Sequence, residues 1–578
     1  MSSLPQALPL QWVYPNNDQE WVSTIIKEFM VHPIIASVLA ARGFRDLDQI
    51  HSYLYSQLPD LYPPQRFTEM KRATERVARA IVNKEPILIY GDNDVDGITS
   101  TALLIEYIRK AGGEAHFFIP NRSNLNHHLL LDALDLIQRE KISLVITVDC
   151  GITASSEVKT LTAKGVDVII TDHHVPTAKI PHSYATLNPK LLKAKYPNRE
   201  LTGVGVAFKL ACALSHHLIS SGNIKAQQID LKDSLDLVAL GTIADMGSLL
   251  GENRILVRYG LKQMSSTKRI GLKQLLSVCG IPKGPISSND IVLKVAPRIN
   301  SLGRIANPLK GVELLLAKDP ITAQELACEL DLHNKTRQRL EQEMVQHLDE
   351  ILEKQPHHLE HKSIVIASPA WHTGIVPLLT TRLNRTYHRP SVVIAIENGI
   401  GKGSIRSTRA FPLLDTLNSL QHLFLSYGGH DFAAGIMIEE KNIAEFASAF
   451  IKITNASLTI DDVTPKLQLD ASLAFDEIDF DLIESLELLE PYGQENPPPL
   501  FYTKARQVWQ HKIFKKNHIK LFLEQNDRIL ECVGFHLASR SQFLLGQNEM
   551  LSVAFSPQIF NSMKQSRVQL HLKDLITS

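Results

Sequence analysis

Four apolar segments in the first half of the chain each run into an aspartate, and this recurrence limits the possible folds. The segments and the acids that follow them are residues 87–90 with Asp92, 141–148 with Asp149, 166–171 with Asp172 and 235–244 with Asp245. Short apolar runs that alternate with helical patterns are typical of buried parallel strands, so we predict four strands. Because parallel strands place their carboxyl ends at one edge of a sheet, we expect the four acids to meet there.

The first segment runs into the densest acidic motif of the chain, Gly-Asp-Asn-Asp-Val-Asp-Gly at residues 91–97. Its three carboxylates alternate along the motif, at Asp92, Asp94 and Asp96. Like charges this close repel one another strongly, so a cation has to compensate them. Carboxylates together with the histidine pair at residues 173–174 suit Mn²⁺ or a similar divalent ion better than a thiolate site would. For the motif alone, a solvated acidic loop is the alternative.

The composition limits the class of protein and its location. A chain of 578 residues with 44% hydrophobic and 21% charged residues should form several ordinary globular domains. Lys and Arg together number 61, as do Asp and Glu, so any nucleic-acid site must be a local basic groove. The five cysteines have no paired spacing, which argues against disulfides and predicts a cytoplasmic location. No apolar run approaches the ~20 residues of a membrane span, so we expect no membrane contact.

The pattern of apolar residues and turns divides the chain into five predicted segments. These are a helical lead-in over 1–68, a parallel-sheet domain over 69–300, a connecting helical segment over 301–360, a second α/β domain over 361–460 and short strands over 461–578. A long helix is predicted over 320–357, where Gly and Pro are scarce. The short strands of the last segment are typical of a small β barrel.

Two further motifs each have a structural and a ligand-binding interpretation. Thr-Gly-Val-Gly at residues 202–205 predicts a helix that begins at a glycine turn, which either holds a phosphate or allows close packing. Residues 509–522 alternate lysines with aromatic side chains, which suits base stacking and backbone tracking on a single strand. A solvated charged face is the alternative for that stretch.

These motifs, in this order, resemble those of the DHH phosphoesterase family. The resemblance is carried by Asp-His-His at residues 172–174, Asp-x-Asp-x-Asp-Gly at 92–97 and Val-Asp-Cys-Gly at 148–151. Later motifs at residues 296–304, 371–374, 403–407 and 428–435 extend it over nearly the whole chain. It implies a DHH-type parallel-sheet catalytic domain, a long connecting helix, a DHH-associated substrate-binding domain and a C-terminal OB-like barrel that binds nucleic acid.

Within that family the chain is similar to the bacterial exonucleases specific for single-stranded DNA. The resemblance implies 5′-to-3′ hydrolysis with two Mn²⁺ or Mg²⁺ ions. The metal ligands it implies are Asp94, Asp96, Asp149 (between the two ions), His173 and Asp245, and the catalytic set adds Asp92 and His174. The substrate-binding residues it implies are Arg298, Asn300, Arg304, His372, Ser404, Arg406, Ser407, Gly429, His430 and, in the barrel, Lys515 and Lys516.

The resemblance also implies partners, and two alternatives compete with it. The partners are single-stranded DNA, a single-strand-binding protein and a helicase, in DNA repair and recombination. One alternative is a phosphodiesterase of short oligonucleotides or cyclic dinucleotides, and the other is an inactive DNA-binding scaffold on the same fold. The chain departs from the family pattern at residues 124–128, where Asn-Leu-Asn-His-His replaces a Gly-Tyr-Gly turn. It departs again at residues 245–249, where Asp-Met-Gly-Ser-Leu replaces Asp-Val-Val-Pro-Leu.

Overall fold

The computed structural model describes residues 8–16, 18–120, 130–177, 179–193, 195–539, 550–561 and 566–577. The chain forms two compact units. The first unit contains Met1–Val13, Arg304–Ala306 and Asp331–Leu467, and the second contains Tyr14–Gly303, Asn307–Leu330 and Gln468–Ser578. Each unit has hydrophobic cores of its own.

The secondary structure is numbered in chain order. The strands are β1 Gln11–Val13, β2 Ile87–Gly91, β3 Ala115–Phe118, β4 Leu144–Val148, β5 Asp167–Thr171, β6 Ala185–Leu187, β7 Ile364–Ser368, β8 Ser391–Glu397, β9 Ile400–Arg406, β10 Phe424–His430, β11 Ala433–Glu439, β12 Lys466–Gln468, β13 Ala471–Ser472, β14 Phe501–Gln507, β15 Lys512–Phe514, β16 His518–Gln525, β17 Arg528–Gly534, β18 Met550–Asn561 and β19 Ser566–Thr577. The helices are α1 Gln19–Phe29, α2 Pro33–Ala41, α3 Leu47–Tyr55, α4 Met70–Asn83, α5 Val95–Lys110, α6 Leu134–Arg139, α7 Ser155–Ala163, α8 Gly203–Ser220, α9 Ile224–Gln227, α10 Leu235–Ala244, α11 Gly251–Ser265, α12 Ile270–Val278, α13 Ser288–Asp290, α14 Ala296–Ile305, α15 Leu309–Leu316, α16 Pro320–Lys354, α17 Val376–Tyr387, α18 Leu413–Ser419, α19 Ile443–Ser457, α20 Ile460–Val463 and α21 Phe480–Ser485.

A parallel sheet with strand order β3-β2-β4-β5-β6 forms the centre of the second unit. The chain adds β3 on one side of β2 and then β4 on the other side. Such a reversal opens a crevice at the carboxyl ends of the strands, where open α/β sheets bind their ligands. Asp92 follows β2, Asp149 follows β4 and Asp172 follows β5. Three of the four predicted acids therefore lie at this edge.

The fourth apolar segment is a helix, and the strand predicted there is wrong. Helix α10 covers Leu235–Ala244, and Asp245 is its C-cap residue. Every residue from Leu235 to Ile243 is buried. A helix that is buried on all sides lacks the apolar stripe with a 3.6-residue period by which a helix is recognised in sequence. Asp245 therefore lies at the end of a helix and not at the end of a strand of the sheet.

The last strands close into a barrel. Strand β14 pairs with both β18 and β16, so the order β14-β18-β19-β17-β16 returns to β14. This closed arrangement confirms the OB-like barrel expected from the sequence. Strands β18 and β19 are each 12 residues long, which is longer than the short strands predicted.

The barrel shares its hydrophobic core with the N-terminal helices. Ile25, Ile35 and Leu54, from α1, α2 and α3, belong to the same buried cluster as Phe475 and Phe555 of the C-terminal region. The helical lead-in and the barrel lie at opposite ends of the chain, so this packing was not evident from the sequence. The predicted domain boundaries remain predictions.

The first unit contains a five-stranded sheet of order β10-β11-β9-β8-β7. Strands β7 and β8 are parallel, and the other pairs are antiparallel. Helix α17 packs on β8 and β9, and α19 packs on β7. The long helix predicted over residues 320–357 is α16, which covers Pro320–Lys354. The predicted α/β class, with a parallel sheet, a second α/β domain and a barrel, is confirmed.

Among the helices of the described ranges, α8 alone is long and apolar enough to cross a membrane by length and composition. It packs between α4, α5 and α10, and 72% of it is buried inside the protein. Its Lys209 lies in the interior and donates a 2.6 Å hydrogen bond to Glu252. These contacts are those of an interior helix of a globular domain.

Candidate metal centre

A tight turn between β2 and α5 brings the acidic motif together. Only three residues separate Gly91, the end of β2, from the first residue of α5. A Cβ atom at Gly97 would lie 2.4 Å from the backbone oxygen of Asp92, so the turn accepts only glycine there. Asp94 caps the helix, because its Oδ1 accepts hydrogen bonds from the N–H groups of Asp96 and Gly97 at 3.0 and 3.1 Å.

The N-terminus of α8 binds the carboxylate of Asp96. The backbone N–H of Gly203 donates to Oδ2 at 2.7 Å, and the N–H of Val204 donates to Oδ1 at 2.8 Å. A Cβ atom at Gly203 would lie 2.7 Å from Oδ1 of Asp149, so the glycine is also required for close packing. The glycine motif at residues 202–205 therefore supports an acid of the centre. From the sequence, the motif was expected to allow close packing or to hold a phosphate. The signal for its role is its position just before an apolar helix, because the first N–H groups of a helix have no partner within the helix and can bind an acid.

Asp149 is at the middle of the cluster. Its Oδ1 is buried and accepts no hydrogen bond, yet it lies 3.0 Å from Nε2 of His173. The same Nε2 lies 3.7 Å from Oδ2 of Asp245 and 3.9 Å from Oδ2 of Asp96. Buried polar atoms normally have hydrogen-bond partners, so an orphaned carboxylate oxygen among three other ligand atoms fits the coordination of a cation.

The ligand atoms form three overlapping groups, within each of which all atoms lie within 4.8 Å of one another. The groups are Asp149 with His173 and His174, Asp96 with His173 and Asp245, and Asp92 with Asp94 and Asp149. They bring together every residue of the predicted catalytic set. Oxygen donors with one or two imidazoles suit Mn²⁺ or Mg²⁺, so the donor set fits the expected metals.

Burial and mutual repulsion keep protons on these acids when no cation is bound. Burial and the charge of Asp94 raise the pKa of Asp96 to about 7. Burial and the charges of Asp96 and Asp94 raise the pKa values of Asp149 and Asp245 well above the ordinary value. A metal ion entering the centre therefore displaces protons.

We expect the affinity for Mn²⁺ to rise from about pH 6 to about pH 8. The acids have raised pKa values, so they hold protons at the lower pH and lose them as the pH rises through those values. Each displaced proton changes the affinity by up to about tenfold per pH unit. Titration calorimetry in buffers of different ionisation enthalpy measures both the affinity and the number of protons released. The same affinity at both pH values would contradict this prediction.

Asp172 orients the histidine pair. Its Oδ1 accepts hydrogen bonds from the N–H groups of His173 and His174 at 2.7 and 3.1 Å and lies 2.8 Å from Nδ1 of His174. Burial tends to raise the pKa of Asp172, but the hydrogen bond and the charge of His174 lower it. Burial lowers the pKa of His174, and the bond to Asp172 outweighs that effect and raises the pKa to about 9. In the metal-free centre, the contact with Asp172 therefore favours the protonated, cationic form of His174.

The predicted substrate residues Arg298 and Asn300 have structural contacts near the metal centre. Oδ1 of Asn300 accepts a 3.2 Å hydrogen bond from the N–H of Val95, the first residue of α5. Nη1 of Arg298 donates to the carbonyl of Lys294 at 2.6 Å. Asn300 thus supports the acidic turn, a role that the sequence did not reveal.

In the first unit, predicted substrate residues lie together at one end of the sheet. Arg406 on β9 and His430 on β10 both face Ala433 of β11 in the strand register. A Cβ atom at Gly429 would lie 2.2 Å from the carbonyl oxygen of Ala433, so glycine is required there. Ser407 follows β9, and its N–H donates to the carbonyl of Phe432 at 2.9 Å.

The remaining predicted substrate residues of the first unit form hydrogen bonds within that unit. Nη1 of Arg406 donates to Oγ of the buried Ser404 at 3.3 Å. Nη1 of Arg304 donates to the carbonyl of Gly374 at 3.1 Å, and the N–H of Gly374 donates to Nδ1 of His372 at 3.1 Å.

Lys515 and Lys516 form the turn between β15 and β16. Both are exposed and have left-handed backbones, with φ angles of 47° and 67°. Trp509 is half exposed and packs edge-to-face on Phe522, with ring centroids 4.8 Å apart. Lys520 has a different role, because it forms an ion pair with Glu531 at 2.9 Å. The unusual sequence at residues 124–128 lies outside the described residues.

The chain matches the sequence models of three families. The DHH family, N-terminal domain, matches residues 86–242, the DHHA1 domain matches 361–456, and the RecJ OB domain matches 469–574. The single-stranded-DNA-specific exonuclease RecJ of Bacillus subtilis is 34% identical over 576 residues, which is 99% of this chain and 71% of the relative. That of Haemophilus influenzae is 32% identical over 527 residues, 88% of this chain and 90% of the relative.

Solved structures agree with these sequence matches. The crystal structure of RecJ from Thermus thermophilus with Mn²⁺ has a TM-score of 0.82 and 27% identity, covering 98% of this chain and 80% of that one. Its complex with Mg²⁺ has a TM-score of 0.76 and 26% identity, covering 98% of this chain and 79% of that one. The chain therefore belongs to the RecJ family of the DHH proteins.

Proposed function

We propose that this protein is an exonuclease that hydrolyses single-stranded DNA from 5′ to 3′ with two divalent cations, Mn²⁺ or Mg²⁺. The observation that carries the proposal is the buried, unbonded carboxylate oxygen of Asp149 among the other acids and His173. RecJ relatives are named single-stranded-DNA-specific exonucleases, and solved relatives contain Mn²⁺ or Mg²⁺. An inactive scaffold has no need for this repulsion among buried acids.

The residues that would hold the ions are Asp94, Asp96, Asp149, His173 and Asp245. Asp149 and His173 each belong to two of the ligand groups, and of the two only the carboxylate of Asp149 offers two donor atoms, one for each of two ions. When bound, two cations neutralise the phosphodiester and make hydroxide available near neutral pH. The N-terminus of α8 holds Asp96 in place, and the cap of α5 does the same for Asp94.

His174 is suited to bind the scissile phosphate. Asp172 fixes its Nδ1 and keeps the ring protonated, so Nε2 carries a proton that it donates to an anionic oxygen. The side chain of His174 is 42% exposed, so a substrate reaches it. Asp92 belongs to the same ligand group as Asp94 and would help to hold the same ion.

Arg406 is the strongest candidate to bind the 5′ phosphate. Burial lowers the pKa of its guanidinium, and the ion pairs within the described ranges do not include it. A partly buried guanidinium that lacks a carboxylate partner within the described ranges suits a phosphate, which it binds with two parallel hydrogen bonds. Ser404, Ser407, Gly429, His430, His372 and Arg304 belong to the same proposed phosphate-binding unit, and Arg298, Asn300, Lys515 and Lys516 complete the proposed set.

An end-labelled oligonucleotide tests polarity and strand specificity. We expect a 5′-phosphorylated single strand to release its 5′ label first in Mn²⁺ or Mg²⁺, and a blunt duplex of the same sequence to be largely spared. Product sizes over time, read for strands labelled at either end, give the direction of hydrolysis. Release of the 3′ label first, or equal attack on the duplex, would rule out the proposed activity.

The same assay tests Arg406. Because hydrogen bonds to charged groups are worth about 1.5–3 kcal/mol, Arg406→Ala should weaken binding of the 5′-phosphorylated strand by roughly 10- to 100-fold. Its affinity for Mn²⁺ should not change. Arg385→Ala, which removes an exposed arginine of the same unit, is the matched control. Equal losses in the two variants would contradict the phosphate-binding role.

The proposal extends to partners and location. We propose a cytoplasmic role in DNA repair and recombination, with a single-strand-binding protein and a helicase that supply the strand. The competing activity on short oligonucleotides or cyclic dinucleotides gives the C-terminal barrel no role in binding the substrate. Trp509 and the turn lysines of the barrel suit stacking and backbone contacts on a longer strand.

A further inference from the structure

The second unit contains a cavity next to the metal centre, and none of the proposed metal ligands lines it. It has a volume of about 710 Å³. Its lining includes Met246 and Leu249, which follow Asp245, together with Val292 and, from the C-terminal region, Tyr492 and Ile559. The volume lies within the range of ligand-binding pockets.

The charge of this cavity excludes a DNA strand. Glu487 and Glu490 line it, and no Lys, Arg or His is among its lining residues in the described part of the chain. Burial and the charge of Glu487 raise the pKa of Glu490, whereas the charges of Arg254 and Arg258, which lie outside the lining, lower it. A phosphodiester backbone would be repelled, whereas a cationic ligand would be attracted.

The wall offers an adaptable apolar surface to a ligand. Met246 is 47% exposed in a left-handed backbone with a φ angle of 59°. Methionine adapts its shape to different apolar partners.

We infer that this cavity docks a short segment of a partner protein, in which an apolar side chain stands next to a Lys or Arg. The apolar side chain packs on Met246, Leu249 and Ile559, and the cation pairs with Glu487 and Glu490. The partner then lies against the residue that follows Asp245, next to the metal centre.

Selection from a randomised peptide library on the full-length protein, without divalent ions, tests this site. We expect the enriched sequences to combine an apolar residue with an adjacent Lys or Arg. Fluorescence anisotropy of the best peptide then gives its affinity. Glu487→Gln combined with Glu490→Gln should weaken it about fivefold, the loss expected for two partly exposed ion pairs. Val292→Asp should weaken it about tenfold or more, because it places a charge in the apolar wall.

Matched controls separate docking from general damage. Leu293→Asp changes the next residue, which is 63% exposed and does not line the cavity, and Glu484→Gln changes an exposed acid of α21 outside the lining. Both should bind the peptide like the unchanged protein. Failure to enrich any peptide, enrichment of acidic peptides, or equal losses in control and test variants would overturn the inference. Displacement of the peptide by oligothymidylate would overturn it in favour of a strand path.

Discussion

Asp149→Asn is expected to slow hydrolysis of single-stranded DNA by at least about 10³-fold in Mn²⁺, because several kcal/mol of charge stabilisation depend on the ions that Asp149 holds. Asparagine keeps the size of the side chain and tolerates the left-handed backbone at this position, where φ is 60°. The substitution therefore removes one negative charge with little effect on the turn. Single-turnover rates on a 5′-phosphorylated strand at saturating Mn²⁺ measure the effect.

The same variant should stabilise the metal-free protein. The pKa of Asp149 is raised in the folded state, so its ionisation destabilises the fold as the pH rises above the ordinary range of an Asp. The gain should increase as the pH rises above that range, and thermal unfolding at about pH 5 and about pH 8 measures it. Asp135→Asn, an exposed acid of α6, is the control and should change neither property. Near-normal turnover of Asp149→Asn would refute the two-metal assignment.

Removal of residues 468–578 is expected to unfold helices α1–α3 and to destabilise what remains of the second unit, although the parallel sheet keeps a buried cluster of its own. Ile25, Ile35, Leu39 and Leu54 of the N-terminal helices would lose the barrel residues with which they form one buried cluster. Exposing each large side chain costs about 1.5–3 kcal/mol. Four such losses approach the whole stability of a typical domain, about 5–15 kcal/mol. Calorimetry and size-exclusion chromatography should show aggregation or a broad transition.

A second truncation provides the control. Deletion of residues 14–57 together with 468–578 removes both halves of the shared core. Arg254 and Arg258, whose guanidinium groups donate to carbonyls of Tyr53, Leu54, Leu488 and Leu489, would then be solvated. This double truncation should be more soluble and should unfold more cooperatively than the single one. If the single truncation behaves equally well, the shared core does not stabilise the N-terminal helices.

The metal turn was predictable because its chemistry is local. Asp92, Asp94 and Asp96 alternate over five residues, and Gly97 marks the sharp turn that the structure requires. The acids at β4 and β5 were predictable because each apolar run was short and ended at an acid. Helix α10 was mistaken for a strand because all of its sides are buried, which removes the polar face that separates the two types of element.

Contacts between distant parts of the chain could not be predicted from the sequence. The bonds from Gly203 and Val204 to Asp96 join residues separated by 107 and 108 positions. Nothing in the local pattern of either segment identifies the other. The same limit applies to Asn300, whose amide oxygen accepts a bond from Val95 across 205 positions. Only the folded arrangement shows that these residues hold the acidic turn in place.

The shared core also determines when the protein can fold during its synthesis. Helices α1–α3 leave the ribosome long before Phe475, Phe555 and Leu575, which cover their apolar side chains, are made. At about 5–20 residues per second, roughly 20–80 s pass between the synthesis of α3 and the arrival of the first barrel strands. During that interval the apolar faces of the three helices are exposed, so we expect a chaperone that recognises apolar segments of nascent chains to bind them.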